Sequence, residues 1–251
     1  MIYENDDYII HEIDGEEHQA RAISHTHPKA HQLIRQAQLY AQNLSLLSKL
    51  FLDTKSVFFD VTTFLYYPLI LRTSTHPYGQ VVGFFSKEKM SWDNNNVACI
   101  LIFPPWQKRG LGQVLIAASY VLGKREGRFG GPERPLSALG RKGYINFWCA
   151  EAFRFLVKSA TKRTVSVKEV SEETYILQED VVLALREMDV LESRKTAGGS
   201  VVVNKSKLRA WAEENGVSVQ PIVDVDAFVE EESEDVQEDD EEQEEESETD
   251  D

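Results

Sequence analysis

Between Gln107 and Gln113 the chain reads Gln107-Lys108-Arg109-Gly110-Leu111-Gly112-Gln113, two glycines one residue apart behind two cations. Glycine lets a backbone approach a ligand closely, and at a helix start the unpaired N–H groups and the helix dipole favour an anion. Lys108 and Arg109 reinforce that preference, so the local reading is a pyrophosphate cradle; plain turn chemistry is the alternative. Neither a Gly-Lys-Ser/Thr nor a Gly-x-Gly-x-x-Gly run is present, so neither the P-loop nor the dinucleotide fingerprint applies. Glu133 lies between two prolines in Gly131-Pro132-Glu133-Arg134-Pro135-Leu136-Ser137, on a rigid turn. A carboxylate with a raised pKa in a partly desolvated cleft can act as a general base. On sequence alone it is one glutamate among many. Cys99 falls in an apolar run, where a lone cysteine is normally packing material, and Cys149 is read as structural. His25, His27 and His31 lie close together, but no cysteine or carboxylate completes a zinc-finger spacing, so 20–38 is read as a surface loop and no metal is expected.

These residues need elements to hold them. Residues 97–103 form an unbroken apolar stretch, too short for an independent helix and best read as a buried strand. Pro104 and Pro105 break it, because proline cannot donate to a sheet ladder. From Leu111 a helical period begins, with Leu111, Val114, Leu115, Ala118, Val121 and Leu122 on one face. Upstream, Asp14-Gly15 suggests a hairpin, 43–52 has helical spacing through Leu44, Leu47 and Phe51, and 55–61, 64–71 and 80–86 read as strands, with a turn over 73–79. Downstream, 127–135 is loop and 137–158 helix, with Ser137 as N-cap and Leu139, Phe147, Phe153 and Leu156 near one face. Helices are expected over 167–172, 178–188 and 205–214, with a strand over 201–203.

In this order and spacing, Ala98-Cys99-Ile100-Leu101, the Pro104-Pro105-Trp106-Gln107-x-x-Gly110-x-Gly112 run, Ser119-Tyr120, Lys124-Arg125-Glu126-Gly127 and Pro132-Glu133-Arg134-Pro135-Leu136-Ser137 resemble the MYST-family histone acetyltransferases. So do 43–53 and Val82-Gly83-Phe84-Phe85-Ser86-Lys87-Glu88-Lys89, and the similarity spans roughly 39–215. Met90-Ser91-Trp92-Asp93-Asn94-Asn95-Asn96 with Pro104-Pro105-Trp106 resembles the fungal "something about silencing" branch.

The resemblance implies an α+β chain with a GNAT-like acetyl-CoA-binding core, a winged-helix-like C-terminal region and a disordered acidic tail. The expected division is 1–38 as a hairpin remnant plus a His-containing insert, 39–164 as the acetyltransferase core, 165–223 as the winged-helix-like part and 224–251 as the tail. It also implies the roles. Glu133 matches the catalytic glutamate, and Cys99 a cysteine beside the acetyl group, either an acyl-carrying nucleophile or a bystander to direct attack. Backbone N–H groups of Ile100, Leu101 and Ile102 and the Gln107 to Gln113 loop match the acetyl-CoA contacts. Ser137 matches a further cofactor contact, Asn146 a small polar position, and Lys55 an autoacetylated lysine. Ala138 and Val121 replace usual acidic residues, and the family's Cys-Cys-His-Cys zinc finger has no counterpart among the two cysteines. The implied activity is acetyl transfer to a histone tail lysine, H4 lysine sixteen if the silencing-branch likeness holds, in a nuclear complex with other subunits. Two rivals stand: a partner-dependent or inactive truncated module that serves as a binding subunit, and a small-amine acetyltransferase with the same cradle.

Composition sets the bounds. With 251 residues and 42% apolar content the chain can bury a substantial core. Two cysteines fit a reducing intracellular setting. No run approaches a membrane span, and the acidic opening has no signal-peptide pattern. The net charge of −15 is concentrated: residues 224–251 hold 18 acidic and no basic residues, leaving 24 acidic against 27 basic in 1–223. Such a tail cannot bury enough surface to offset chain entropy. Residues 165–215 hold ten acidic and seven basic residues, the opposite of a DNA reader's footprint, so sequence-specific DNA binding is not expected.

Overall fold

The structure is a computed structural model in which residues 1–5, 7–15, 30–52, 60–74, 76–159, 165–195 and 201–229 are described. Strands β1 (Tyr3–Glu4), β2 (Tyr8–Ile10), β3 (Ile13–Asp14), β4 (Phe64–Thr73), β5 (His76–Glu88) and β6 (Cys99–Ile102) form one antiparallel sheet. Its order is β1-β2-β4-β5-β6, with β3 also on β4. β4 carries Pro68 in mid-strand, and the register shows why this is tolerated. The Pro68 carbonyl accepts from His11 N–H at 3.3 Å, so the missing N–H faces the break between β2 and β3 and no ladder bond is lost.

The strands are apolar on both faces because both faces are covered. Tyr67, Leu69 and Phe85 pack toward helices α2 (Leu111–Arg125) and α3 (Ala138–Lys158), whereas Tyr66, Phe84 and Leu101 pack in a second core with Ala41 and Leu44 of α1 (Ala30–Lys49). α2 is buried far beyond one stripe, since it lies between sheet and α3. Trp148 Nε1 donates to Tyr120 Oη at 2.7 Å to join those helices, and buried Lys87 of β5 pairs with Glu126 at the end of α2.

Several expectations change. Residues 30–38, read as loop, are helical and begin α1, which stops at Lys49 rather than Leu52. Its buried face is Ala41, Leu44, Ser45 and Ser48, while Leu47 and Phe51 are exposed, because small residues let the helix sit close to the sheet. The strand expected over 55–61 lies outside the described residues except for 60–61, which are loop. β4 and β5 extend toward each other to Thr73 and His76, shrinking the expected turn. Leu139 is exposed on the first turn of α3.

After α3, a capping box of Ser166 and Glu169 starts α4 (Val167–Thr174), followed by α5 (Gln178–Glu187), a ribbon of β7 (Leu191–Lys195) with β8 (Val201–Val203), and α6 (Lys205–Glu214). β7 was not expected, since Leu191-Glu192-Ser193-Arg194-Lys195 lacks branched and aromatic residues. α4 and α5 bury Val170, Val181, Ala184 and Leu185 in the main core with α3. The chain then returns across the molecule. Arg154 Nε donates to the carbonyls of Ser218 and Gln220 at 3.0 and 2.9 Å, and Asp224 caps a 3-10 turn over Val225–Ala227. Phe228 is buried against Tyr3, ring centroids 4.7 Å apart, with Arg125 donating to the Phe228 and Val229 carbonyls. Asp224 to Val229, expected as tail, therefore belong to the fold; 230–251 lie outside the described residues.

Candidate active site

The site is a fork in the sheet. Asn96 N–H donates to the Gly131 carbonyl and Glu133 N–H to the Val97 carbonyl, at 2.9 and 2.8 Å, so the 131–133 segment runs beside the chain entering β6 in a parallel bridge. Beyond it the two part: β6 continues to Ile102, while the Pro-rich turn leads into α3. A cleft of about 340 Å³ opens between them, lined by Val97, Cys99, Ile100, Glu133, Ser137 and Tyr144, with Arg134 also on its wall. Glu133 and Cys99, 34 positions apart, thus share one cavity. Leu52, Phe64 and Glu88 also line it.

The free edge of β6 faces this fork. Phe103 N–H donates to the Val82 carbonyl at 2.9 Å, which by the alternation of an antiparallel ladder turns the Leu101 peptide toward β5 and the Ile100 and Ile102 peptides outward. The Gln107 amide, donating to the Ile102 carbonyl at 2.9 Å, bears out that direction. Of the three N–H groups expected to face a ligand, those of Ile100 and Ile102 are available and that of Leu101 is used in the sheet. Alternation along a strand is fixed by its partner, so the sequence alone did not distinguish them.

At the end of β6, Pro104–Trp106 form a 3-10 turn and Arg109 lies over the Trp106 ring at 4.8 Å. Gly110 is the N-cap of α2 at φ 80°, where a side chain would be strained, and it offers no side-chain cap to the first N–H groups of α2. A Cβ on Gly110 would meet nothing within 4 Å, and one on Gly112 only the Ile102 side chain at 3.9 Å. Lys108, itself at φ 61°, and Arg109 are exposed beside this surface. An open, uncapped, cation-flanked helix start fits a phosphate-bearing ligand lying against the backbone. Gln113 turns inward, its amide donating to the Gly143 carbonyl at 2.8 Å, and so ties α2 to α3.

The remaining candidates separate. Ser137 is on the cleft wall and caps α3 by accepting from Gly140 N–H at 3.1 Å. Asn146 is exposed one turn after Gly143 on α3, away from the cleft lining. Lys55 lies outside the described residues, as do His25 and His27. Cys149 is buried, donates to the Ala184 carbonyl at 3.5 Å, and burial pushes its thiol up to about 12, consistent with a packing role. Among the described residues no cluster of three or more His, Cys, Asp or Glu is placed to hold a metal ion.

Sequence reasoning missed Tyr144 and Arg134. Tyr144 is fully buried, burial holds its phenol well above the ordinary range, and its hydroxyl meets no hydrogen-bond partner among the described residues. Arg134 Nη2 lies 2.5 Å from Oδ1 of Asp180 on α5. No sequence signal links two residues 46 positions apart.

The chain matches the MOZ/SAS family over residues 34–228. It is 40% identical over 173 residues to the Drosophila melanogaster protein named "Histone acetyltransferase MOF", covering 69% of this chain and 20% of that one. To the Arabidopsis thaliana "Histone acetyltransferase of the MYST family 1" it is 45% identical over 158 residues, covering 63% and 35%. To the Caenorhabditis elegans "Histone acetyltransferase Tip60 homolog" it is 37% identical over 212 residues, covering 83% and 41%. The chain thus spans less than half the length of each of these relatives.

Proposed function

The chain belongs to the MOZ/SAS family, and from that premise we propose that it is a histone lysine acetyltransferase that uses acetyl-CoA as donor. One observation carries the reading: the cleft that holds Glu133 opens along the free peptide edge of β6, and an uncapped glycine-rich helix start lies against the far end of the same strand, at Ile102. This also supports the GNAT-like description of the core. The helix pair α4 and α5 followed by the β7–β8 ribbon supports the winged-helix-like one.

Acetyl-CoA supplies an activated thioester. The first-turn N–H groups of α2, with Lys108 and Arg109, hold its pyrophosphate, and Gly110 and Gly112 allow the approach. The outward N–H groups of Ile100 and Ile102 donate to the thioester oxygen as negative charge develops. A lysine ammonium, of ordinary pKa about 10.4, must lose a proton before it can attack. Glu133 accepts that proton, the neutral amine attacks the thioester carbon, and the C–S bond breaks so that coenzyme A leaves as a thiolate that takes the proton back from Glu133. Glu88, which also lines the cleft, adds negative potential that favours an incoming cation.

Cys99 takes part by position. Cys99 lines the same cleft as Glu133. Direct attack asks that carboxylate for one deprotonation, that of the amine, whereas an acyl-cysteine route asks it for two in succession. Direct attack by the amine is therefore our reading.

We assign the substrate as a histone tail, H4 lysine sixteen by the silencing-branch likeness, with a nuclear setting, accessory subunits and autoacetylation at Lys55 from the same source. The test is competition. H4 tail peptide and a polyamine are offered together with labelled acetyl-CoA, and the acetylated lysine is located by mass spectrometry. Label on the peptide at lysine sixteen supports the assignment; label on the polyamine contradicts it.

A further inference from the structure

Building on the reading of Glu133 as the base, we propose that Arg134 and Asp180 form the strut that positions Glu133, making helix α5 a working part of the cleft. Glu133 is held on one side by its N–H to the Val97 carbonyl, 2.8 Å. On the other side the next residue, Arg134, extends to α5, where its Nη2 meets Asp180 Oδ1 at 2.5 Å, and its guanidinium lies 5.8 Å from the Trp148 ring centroid. α5 also touches the turn directly. A Cβ on Gly131 would lie 3.4 Å from Leu177 Cδ1 and 3.5 Å from Asp180 Oδ2. The stretch from Gly131 to Arg134 is thus clamped between the entrance to β6 and the first turn of α5.

The pair is poorly suited to stability alone. The Asp180 side chain is 2% exposed and that of Arg134 47%, and Asp180 Oδ2 has no hydrogen-bond partner among the described residues. Burial raises the Asp180 pKa more than Arg134 lowers it. Apolar residues of similar volume often replace a buried ion pair with no loss of stability. What an ion pair adds is direction for the turn and cancellation of the Arg134 charge. An unneutralised guanidinium next to Glu133 would lower the pKa of that carboxylate and weaken it as a base. The titratable groups that line the cleft with Glu133, besides Arg134, are Glu88 of β5, Cys99 of β6 and Tyr144 of α3. Those around Asp180 are Arg134, Glu179 and, from α2, Tyr120.

The experiment uses the full chain with Asp180→Asn and Arg134→Gln, each followed by kcat, acetyl-CoA KM and the pH profile of kcat/KM on H4 tail peptide. Asp180→Asn keeps the shape and leaves a half-exposed arginine that water can solvate, so it is the variant expected to fold. We expect kcat to fall about tenfold or more with acetyl-CoA KM unchanged, and the acid limb to move to lower pH. Arg134→Gln removes the cation and leaves Asp180, so its limb moves to higher pH. Opposite shifts are not produced by loosening of the fold. Unchanged kcat and limb in Asp180→Asn would overturn the strut, as would limbs that move the same way in both. Glu133→Gln, assayed alongside, separates this from the parent reading: if it retains full activity the base assignment fails, whereas its loss with a normal Asp180→Asn enzyme removes only the strut.

Discussion

Gly110 and Gly112 are one residue apart, and the structure gives them different reasons to lack a side chain. Gly110 sits at φ 80°, so Gly110→Ala should lower stability by about 1 kcal/mol through backbone strain. Gly112 is helical and its added Cβ would meet only Ile102 at 3.9 Å, so the protein itself accommodates alanine there. Gly112→Ala should therefore leave the Tm equal or slightly higher, while raising acetyl-CoA KM about tenfold by filling the cradle, ~1.4 kcal/mol of binding. Thermal melts and steady-state kinetics on both variants check this; a Gly112→Ala protein with unchanged KM would show that no ligand lies there. Cys99 offers a second contrast. If the amine attacks the thioester directly, Cys99→Ser should keep activity within about tenfold of the parent. A loss as deep as that of the base would instead make Cys99 the acyl carrier.

Among the elements, Asp180 on α5 yields a pH dependence of stability. Its pKa is raised in the fold from 3.8, chiefly by burial, so the folded state binds its proton more tightly than the unfolded chain does. That contribution is fully present below about pH 3.8 and is lost as pH rises through the raised value. Asparagine does not titrate, so Asp180→Asn should gain on the parent as pH rises through that window, read by urea unfolding at a series of pH values. A constant difference between the two would contradict the burial argument. The same helix shows what a sequence can and cannot reveal. β6, α2, α3 and α6 are legible because their apolar spacing or caps match one geometry, as with the Ser137 N-cap. α1 misleads because, apart from Leu44, its buried face is built from the small residues Ala41, Ser45 and Ser48, while Leu47 and Phe51, the other hydrophobic signals, point to solvent. The resemblance singles out Glu133 and Cys99 as residues. Their convergence in a fork, the outward turn of Ile100 and Ile102 and the Arg134–Asp180 pair are not legible in the sequence, since each depends on which strand or helix becomes the neighbour.

For the whole molecule, the first and last described segments close on one another. Tyr3 and Phe228 are bridged, Val229 N–H donates to the Ile2 carbonyl at 2.9 Å, and Arg125 binds the carbonyls beside them. Phe228→Ala should cost about 3–5 kcal/mol, seen as a lower urea midpoint with unchanged slope. A change near zero would put the end of the packed fold at Val223, where the charge pattern alone had drawn it. This closure holds the C-terminal return against α2 and α3, the helices that carry the proposed cradle and the cleft wall. The central proposal for the molecule is acetyl transfer with Glu133 as the base. The most direct measurement is transfer of labelled acetyl from acetyl-CoA to H4 tail peptide by the chain and by Glu133→Gln, with acetyl-CoA binding followed in parallel. Transfer by the parent, a fall of about 100-fold or more in the variant and equal binding by both are expected. Equal transfer by both proteins, or no binding of acetyl-CoA by either, would contradict the proposal.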